Sequence, residues 1–149
     1  MTPSGLAEEH VLWRQVVREF VDRDVAPIAG ELERRGEYPD ALLPTLAELG
    51  LLGMSIPVEH GGSDLDMVSF AIAYEELARG WMGLASIVGS SSSGAWLISR
   101  HGTDEQRRRW LPDLAVGRRV SGLALTEPAA GSDLRSIQVS AARDGDTYR

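Results

Sequence analysis

The apolar residues of this chain keep one period as far as Gly117 and another after it, and that change restricts the fold more than any other feature. Trp13, Val16, Val17, Phe20, Val21, Val25 and Ile28 recur three and four apart, predicting a long amphipathic helix over about Leu6 to Leu32. Pro27 near its end is a candidate kink. Leu42, Leu43, Leu46 and Leu49 mark a second helix stopped by Gly50, in which Pro44 fits only in the first turn. A Gly-rich loop over residues 50–66 follows, with Pro57, Gly61 and Gly62. Met67, Phe70, Ala71, Tyr74, Leu77 and Ala78 predict a third helix, and Gly80 to Ser99 a fourth. Thr103 and Gln106 form a capping box for a fifth, running through Trp110, Leu111 and Leu114 to a stop at Gly117. Beyond it, Val120 to Thr126 reads as a strand, and Ile137, Val139 and Ala141 alternate as a second. Asp144-Gly145-Asp146 signals a hairpin turn into a third strand from Thr147. The expected fold is mainly α: a helical domain over residues 1–117, then the beginning of a β domain over 118–149. Two strands and part of a third are marginal alone, so that second domain is expected to be incomplete.

Composition narrows what such a layout can serve. The 149 residues carry 22 acidic and 15 basic side chains, a net charge of -7, and 43% are hydrophobic. A globular chain of this size buries about 68–70% of its surface. The acidic balance argues against nucleic acid or an anionic membrane surface as the partner. There is no Cys, which excludes disulfides, thiolate metal sites and a Cys nucleophile. Every basic residue is Arg, so Schiff-base and P-loop lysine chemistry are excluded too. Gly80 to Ser99 is 20 residues without a charge, long enough to span a bilayer. Ten of them are Gly or Ser, however, which suits a helix packed closely against its neighbours rather than one in lipid. The first ten residues lack the basic and apolar runs of a secretory signal, and the expected location is cytoplasmic.

The segment Leu123-Ala-Leu-Thr-Glu-Pro-Ala-Ala-Gly-Ser-Asp133 is the best suited to chemistry. A strand would deliver Thr126, Pro128 would end regular pairing, and Gly131 would allow an unusual backbone angle. Free amides and the hydroxyls of Thr126 and Ser132 would then meet a polar ring edge or a carbonyl oxygen. The same spacing also fits a plain Pro-Gly turn between strands, capped by Asp133.

Thr126-Glu-Pro-Ala-Ala-Gly-Ser-Asp133 resembles the flavin-contacting signature of the acyl-CoA dehydrogenase family. Glu37-Tyr-Pro39, Glu48-Leu-Gly-Leu-Leu-Gly53, Pro57 with Gly61-Gly62, Glu75-Glu-Leu-Ala78, His101-Gly102, Glu105-Gln106 and Trp110-Leu-Pro112 follow that family's order, so the likeness runs from about Leu6 to Arg149. The resemblance implies an orthogonal helical N-terminal domain, a middle β domain and a C-terminal helical domain, of which the first and the opening of the second are present. It implies FAD as cofactor, contacted by Leu123, Ala124, Leu125, Thr126 and Ser132. Thr126 would lie against the isoalloxazine ring, and Ser132 would also touch the substrate thioester. It further implies an acyl-CoA or other acyl thioester substrate, an electron-transfer flavoprotein or similar acceptor, and a homo-oligomer in the complete protein. The family reaction removes the α proton with a carboxylate while the β hydride passes to flavin N5. That carboxylate and the next flavin motif are expected beyond Arg149, so no catalytic residue is assigned.

Local carboxylates do not replace the base: Glu75 and Glu76 read as solvated or salt-bridged, and Glu127 as a support of the turn. His10, His60 and His101 lack metal-ligand spacing, and no metal site is expected. Arg107-Arg108-Arg109 reads as a solvated helix face. Ser90 to Ser93 lie on the helix that, by resemblance, faces the acyl pocket, where they would widen the pocket or simply let helices approach. The reading is an N-terminal part of an FAD-dependent acyl-CoA dehydrogenase, inactive as an isolated fragment. The alternatives are a non-catalytic helical module that binds a partner or an acyl group, and a flavin monooxygenase or oxidase on the same scaffold.

Overall fold

The apolar stripe around Val17 and Phe20 winds into one long helical rod. A computed structural model describes residues 5–149 and resolves that rod into α1 (Glu8–Phe20), a π-helical turn (Val21–Val25) and α2 (Ala26–Arg35). The wide turn has a local cause. Pro27 in the first turn of α2 has no N–H for the carbonyl one turn back, and its ring crowds that carbonyl. A π turn just ahead of it absorbs the mismatch, so the helix continues instead of breaking. Gly36, left-handed at φ +63°, ends it.

Four further helices follow: α3 (Leu43–Glu48), α4 (Met67–Gly80), α5 (Met82–His101) and α6 (Asp104–Ala115). Pro44 lies in the first turn of α3, as expected. The Thr103 hydroxyl accepts from the Gln106 amide while the Gln106 side chain accepts from the Thr103 amide, completing the expected box on α6. Gly117 adopts φ +70°, as its role as a stop requires. Trp81, in extended conformation, is the single residue between α4 and α5.

α1 packs on α4, α4 on α5 and α5 on α6. Val17, Phe20, Val21, Leu46, Leu77, Leu84 and Val88 are fully or almost fully buried in the main core, and Ile56, Ala95, Leu111 and Leu114 form a smaller core beneath α6. No helix among the described residues is long and apolar enough to cross a membrane.

After Gly117 the expectations are only partly met. Val120 to Thr126 forms no strand: it has no regular secondary structure, and none of its backbone groups pairs with another segment among the described residues. Ile137, Val139 and Ala141 form no strand either, and Val139 is largely exposed. The one sheet among the described residues is the small hairpin of β1 (Arg143–Asp144) and β2 (Thr147–Tyr148), antiparallel, with Arg143 opposite Tyr148. Its two-residue turn has Gly145 at φ +62°, the glycine-first arrangement of a II′ turn. Gly131, expected at an unusual angle, is not left-handed; the chain reverses instead through Pro128 and Ala129, where Glu127 and Ala130 exchange backbone hydrogen bonds of 2.9 and 3.1 Å. The chain is mainly helical, with one two-stranded sheet.

Candidate functional site

A cavity of about 700 Å³ opens where four parts of the chain meet. The Gly-rich loop contributes Ser55, Asp64 and Leu65, and α4 contributes Met67 and Phe70. α5 contributes Ser92, Ser93, Trp96 and Leu97, and the segment after Gly117 contributes Leu123 and Leu125.

Each wall is fixed by interactions that follow from the sequence. The Asp66 carboxylate caps α4, accepting from the Val68 and Ser69 amides at 2.8 Å each, and His10 Nε2 lies 3.0 Å from its other oxygen. The hydrogen bond from His10, then that from the Ser69 amide, hold the Asp66 carboxyl down at about 2. Trp13 donates from Nε1 to the Ser69 carbonyl at 2.9 Å, tying α1 to the same turn. Phe70 stacks on Tyr74 with ring centroids 4.8 Å apart, and burial raises the Tyr74 hydroxyl above its ordinary value. The Ser55 hydroxyl donates to the Ser92 carbonyl at 3.0 Å, pinning the loop to α5.

The loop folds back on itself. Ser63, Asp64 and Leu65 donate their amides to the carbonyls of Gly53, Ile56 and Met54 at 2.9, 3.1 and 2.8 Å. This needs Gly62, whose missing side chain leaves room for the Ile56 carbonyl. It also places Asp64 at φ +44°, the sole non-Gly residue with positive φ among those described. Asp64 is exposed, its carboxylate has no ion-pair partner among the described residues, and it is the only charged side chain on the cavity wall.

The five residues singled out from the sequence divide. Leu123 and Leu125 line the cavity; Ala124, Thr126 and Ser132 are exposed and do not. Thr126 and Ser132 stand on either side of the Glu127–Ala130 reversal. The backbone amides of Leu123 to Thr126 make no hydrogen bond among the described residues. The segment is held through Ser121, whose hydroxyl donates to the Ser91 carbonyl of α5 at 3.0 Å. The Glu127 carboxylate accepts from the Gln138 and Val139 amides at 2.8 and 2.9 Å, so it supports the turn, as expected.

The other carboxylates are engaged elsewhere. Glu75, mostly exposed, pairs with Arg14 at 2.8 Å. Glu76 is buried at 1% exposure and accepts from Arg14, Arg18 and Arg79 at 2.7–3.1 Å. In the basic run, Arg107 is half-buried and holds Asp104 and the Ser99 carbonyl, while Arg109 lies over the Trp110 ring at 4.7 Å. Of Ser90 to Ser93, Ser92 and Ser93 are lining residues of the cavity, and the neighbouring Gly94 and Gly89 allow the close approach of Ser121 and Tyr74. Asp64, Phe70, Trp96 and Leu97 were not singled out from the sequence; the Gly61-Gly62 pair just before Asp64 is the signal that marks that part of the loop.

A helical bundle in which α4, α5, the Gly-rich loop and the trailing segment line an apolar, ligand-sized cavity is the class this geometry defines. The family model described as "Acyl-CoA dehydrogenase, N-terminal domain" matches residues 7–118, and the chain belongs to the acyl-CoA dehydrogenase family. It is 42% identical to (2S)-methylsuccinyl-CoA dehydrogenase of Cereibacter sphaeroides over 146 residues, covering 97% of this chain and 27% of that protein. It is 37% identical to the short-chain specific acyl-CoA dehydrogenase of Clostridium acetobutylicum, covering 97% of this chain and 38% of that protein. A solved glutaryl-CoA dehydrogenase from Mycobacterium smegmatis in complex with FADH2 superposes with a TM-score of 0.90 at 32% identity, over 97% of this chain and 37% of that one. The chain thus spans well under half the length of the relatives it matches.

Proposed function

We propose that this chain forms the acyl-binding wall and one flavin-contacting edge of an FAD-dependent acyl-CoA dehydrogenase, which introduces a double bond between the α and β carbons of an acyl thioester. Residues 1–117 serve as the helical domain and 118–149 as the opening of the flavin-contacting β domain. The observation that carries this reading is the 700 Å³ apolar cavity, bounded on one side by the Leu123–Leu125 segment that leads into the flavin-like signature at Thr126. FAD, when bound, supplies a hydride acceptor. The residues present fit it: amides of Leu123 to Thr126 are free to donate, the hydroxyls of Thr126 and Ser132 are exposed, and the two nearby carboxylates, Glu127 and Asp133, are turned to their own partners. Leu123 and Leu125 would hold the acyl chain from the cavity side, and Ser132 would reach the thioester.

None of Glu75, Glu76 and Glu127 serves as the base. Glu76 is held by three guanidinium groups, and Glu75 and Glu127 have partners of their own. A positioned base contributes about 10²–10⁴-fold, so residues 1–149 alone give no turnover. Electrons would leave to an electron-transfer flavoprotein or similar acceptor. The names of the relatives include acyl groups with and without a distal carboxylate, so likeness alone does not fix the acyl class.

The test is anaerobic flavin bleaching by a panel of acyl-CoA thioesters. A fusion of residues 1–149 to the rest of the Clostridium acetobutylicum short-chain relative should bleach with substrate, and residues 1–149 with FAD should not. A folded, FAD-loaded fusion that no acyl thioester bleaches would overturn the function. Bleaching by the chain alone that is lost in Glu75→Gln or Glu127→Gln would show that a base lies here.

A further inference from the structure

The acyl cavity has a charge asymmetry that its apolar lining conceals. Its polar lining residues are the neutral Ser55, Ser92 and Ser93 and the charged Asp64; among the described residues no Arg or His lines it. Elsewhere on this chain carboxylates are commonly matched with Arg, as in Glu31–Arg35, Asp104–Arg107 and Asp113–Arg118. Asp64 is not. It is also held in place rather than trailing in solvent, because its amide and those of both neighbours are bonded across the loop and its backbone sits at φ +44°. A left-handed conformation in a side-chain-bearing residue is uncommon and persists where surrounding structure dictates it.

We infer that Asp64 is a specificity determinant that makes the cavity select uncharged acyl chains and turn away those ending in a carboxylate. This rests on the reading of the cavity as the acyl site. An incoming carboxylate meets like charge in a partly apolar setting, where its lost hydration is not replaced by any cation on the wall. An uncharged chain of the same length meets Phe70, Trp96, Leu97, Leu123 and Leu125 and loses nothing to Asp64. The selectivity is electrostatic, so salt screens it, whereas a selectivity based on shape would not respond.

The experiment compares hexanoyl-CoA with adipoyl-CoA, which have equal chain length and the same CoA moiety and differ by the distal carboxylate. Binding to the full chain is followed by tryptophan fluorescence, with Trp96 on the cavity wall, and by calorimetry. Hexanoyl-CoA should bind roughly tenfold more tightly at low salt, and the gap should shrink at about 0.5 M salt. Asp64→Asn and Asp64→Gly should close the gap by strengthening adipoyl-CoA binding more than hexanoyl-CoA binding. Asn and Gly both accept positive φ, so these variants keep the loop, and matched urea unfolding verifies it. An equal gap in the variants, or adipoyl-CoA bound as tightly as hexanoyl-CoA by the unaltered chain, overturns the role of Asp64 and leaves the acyl site standing. Failure of hexanoyl-CoA to bind overturns the acyl reading of the cavity, and this inference with it.

Discussion

Replacing Glu76 by Gln should be among the most damaging single-atom changes available in this chain, and its cost should disappear in acid. Glu76 is 1% exposed in the α1–α4 interface, where Arg18 donates to both of its oxygens at 2.7 and 3.0 Å, Arg14 at 3.1 Å and Arg79 at 3.0 Å. The hydrogen bond from Arg18 is the largest influence, and with Arg79 it outweighs burial, holding the carboxyl at about 2 instead of 4.5. A displacement of that size corresponds to about 3 kcal/mol of preference for the carboxylate in the folded state. Arg18 and Arg79 are 50% and 43% exposed, so solvent screens part of this and about 2 kcal/mol is the better expectation. The folded value is depressed, so the contribution is complete above the unfolded carboxyl's range and is lost as pH falls from about 5 toward about 2. Urea unfolding of the parent chain and Glu76→Gln across that range is the assay, urea being preferred because it does not screen charge. The stability difference should be about 2 kcal/mol at pH 7 and close to zero near pH 2.5. A difference that is the same at both ends, or that never exceeds about 0.5 kcal/mol, would refute the claim that the Arg cluster works through the charge of Glu76.

Two backbone predictions are simpler. In Gly62→Ala the new methyl would overlap the Ile56 carbonyl, so we expect a loss of about 2–4 kcal/mol in urea unfolding. Gly61→Ala, with open space around it and φ +83°, should cost only about 1 kcal/mol; equal costs would exclude the clash as the cause. Gly94→Ala would press on Ser121, whose Cβ would lie 2.8 Å from the new methyl, and should lift the 118–126 segment off α5. Trypsin cleavage after Arg118 and Arg119 should then accelerate while the helices melt as before, and unchanged cleavage would count against this docking.

The helices were legible because their signals are local. The Thr103–Gln106 box, Pro44 in a first turn and Gly117 at a stop each depend on residues within one or two turns. The strands were not legible in the same way. Val120 to Thr126 reads as a strand, but none forms there, because a strand is defined by a partner that its own residues do not encode. Glu76 shows the same limit for the site. Its burial arises from α1 crossing α4, and the one hint was Arg14 and Arg18 spaced four apart on a helix face. Asp64 was missed because left-handed geometry at a non-Gly position is decided by hydrogen bonds reaching back to residues 53–56.

The serines and glycines of α5 join fold to function. Their polarity speaks against a span in lipid, but it does not explain why a buried helix should give up so much apolar surface. The reason lies in what rests on it. Gly94 has no side chain, so Ser121 can approach and donate to the Ser91 carbonyl, and the segment carrying Leu123 and Leu125 is laid along the helix. Gly89 admits the Tyr74 ring, which in turn stacks on Phe70 at the cavity wall. Ser92 meets the loop through its carbonyl and Ser55. Larger apolar residues at these positions would strengthen a two-helix contact, but they would fill the cavity or push the 118–126 segment away. α5 therefore trades burial for two close approaches, one on each side of the cavity, and its small residues set the width of that cavity.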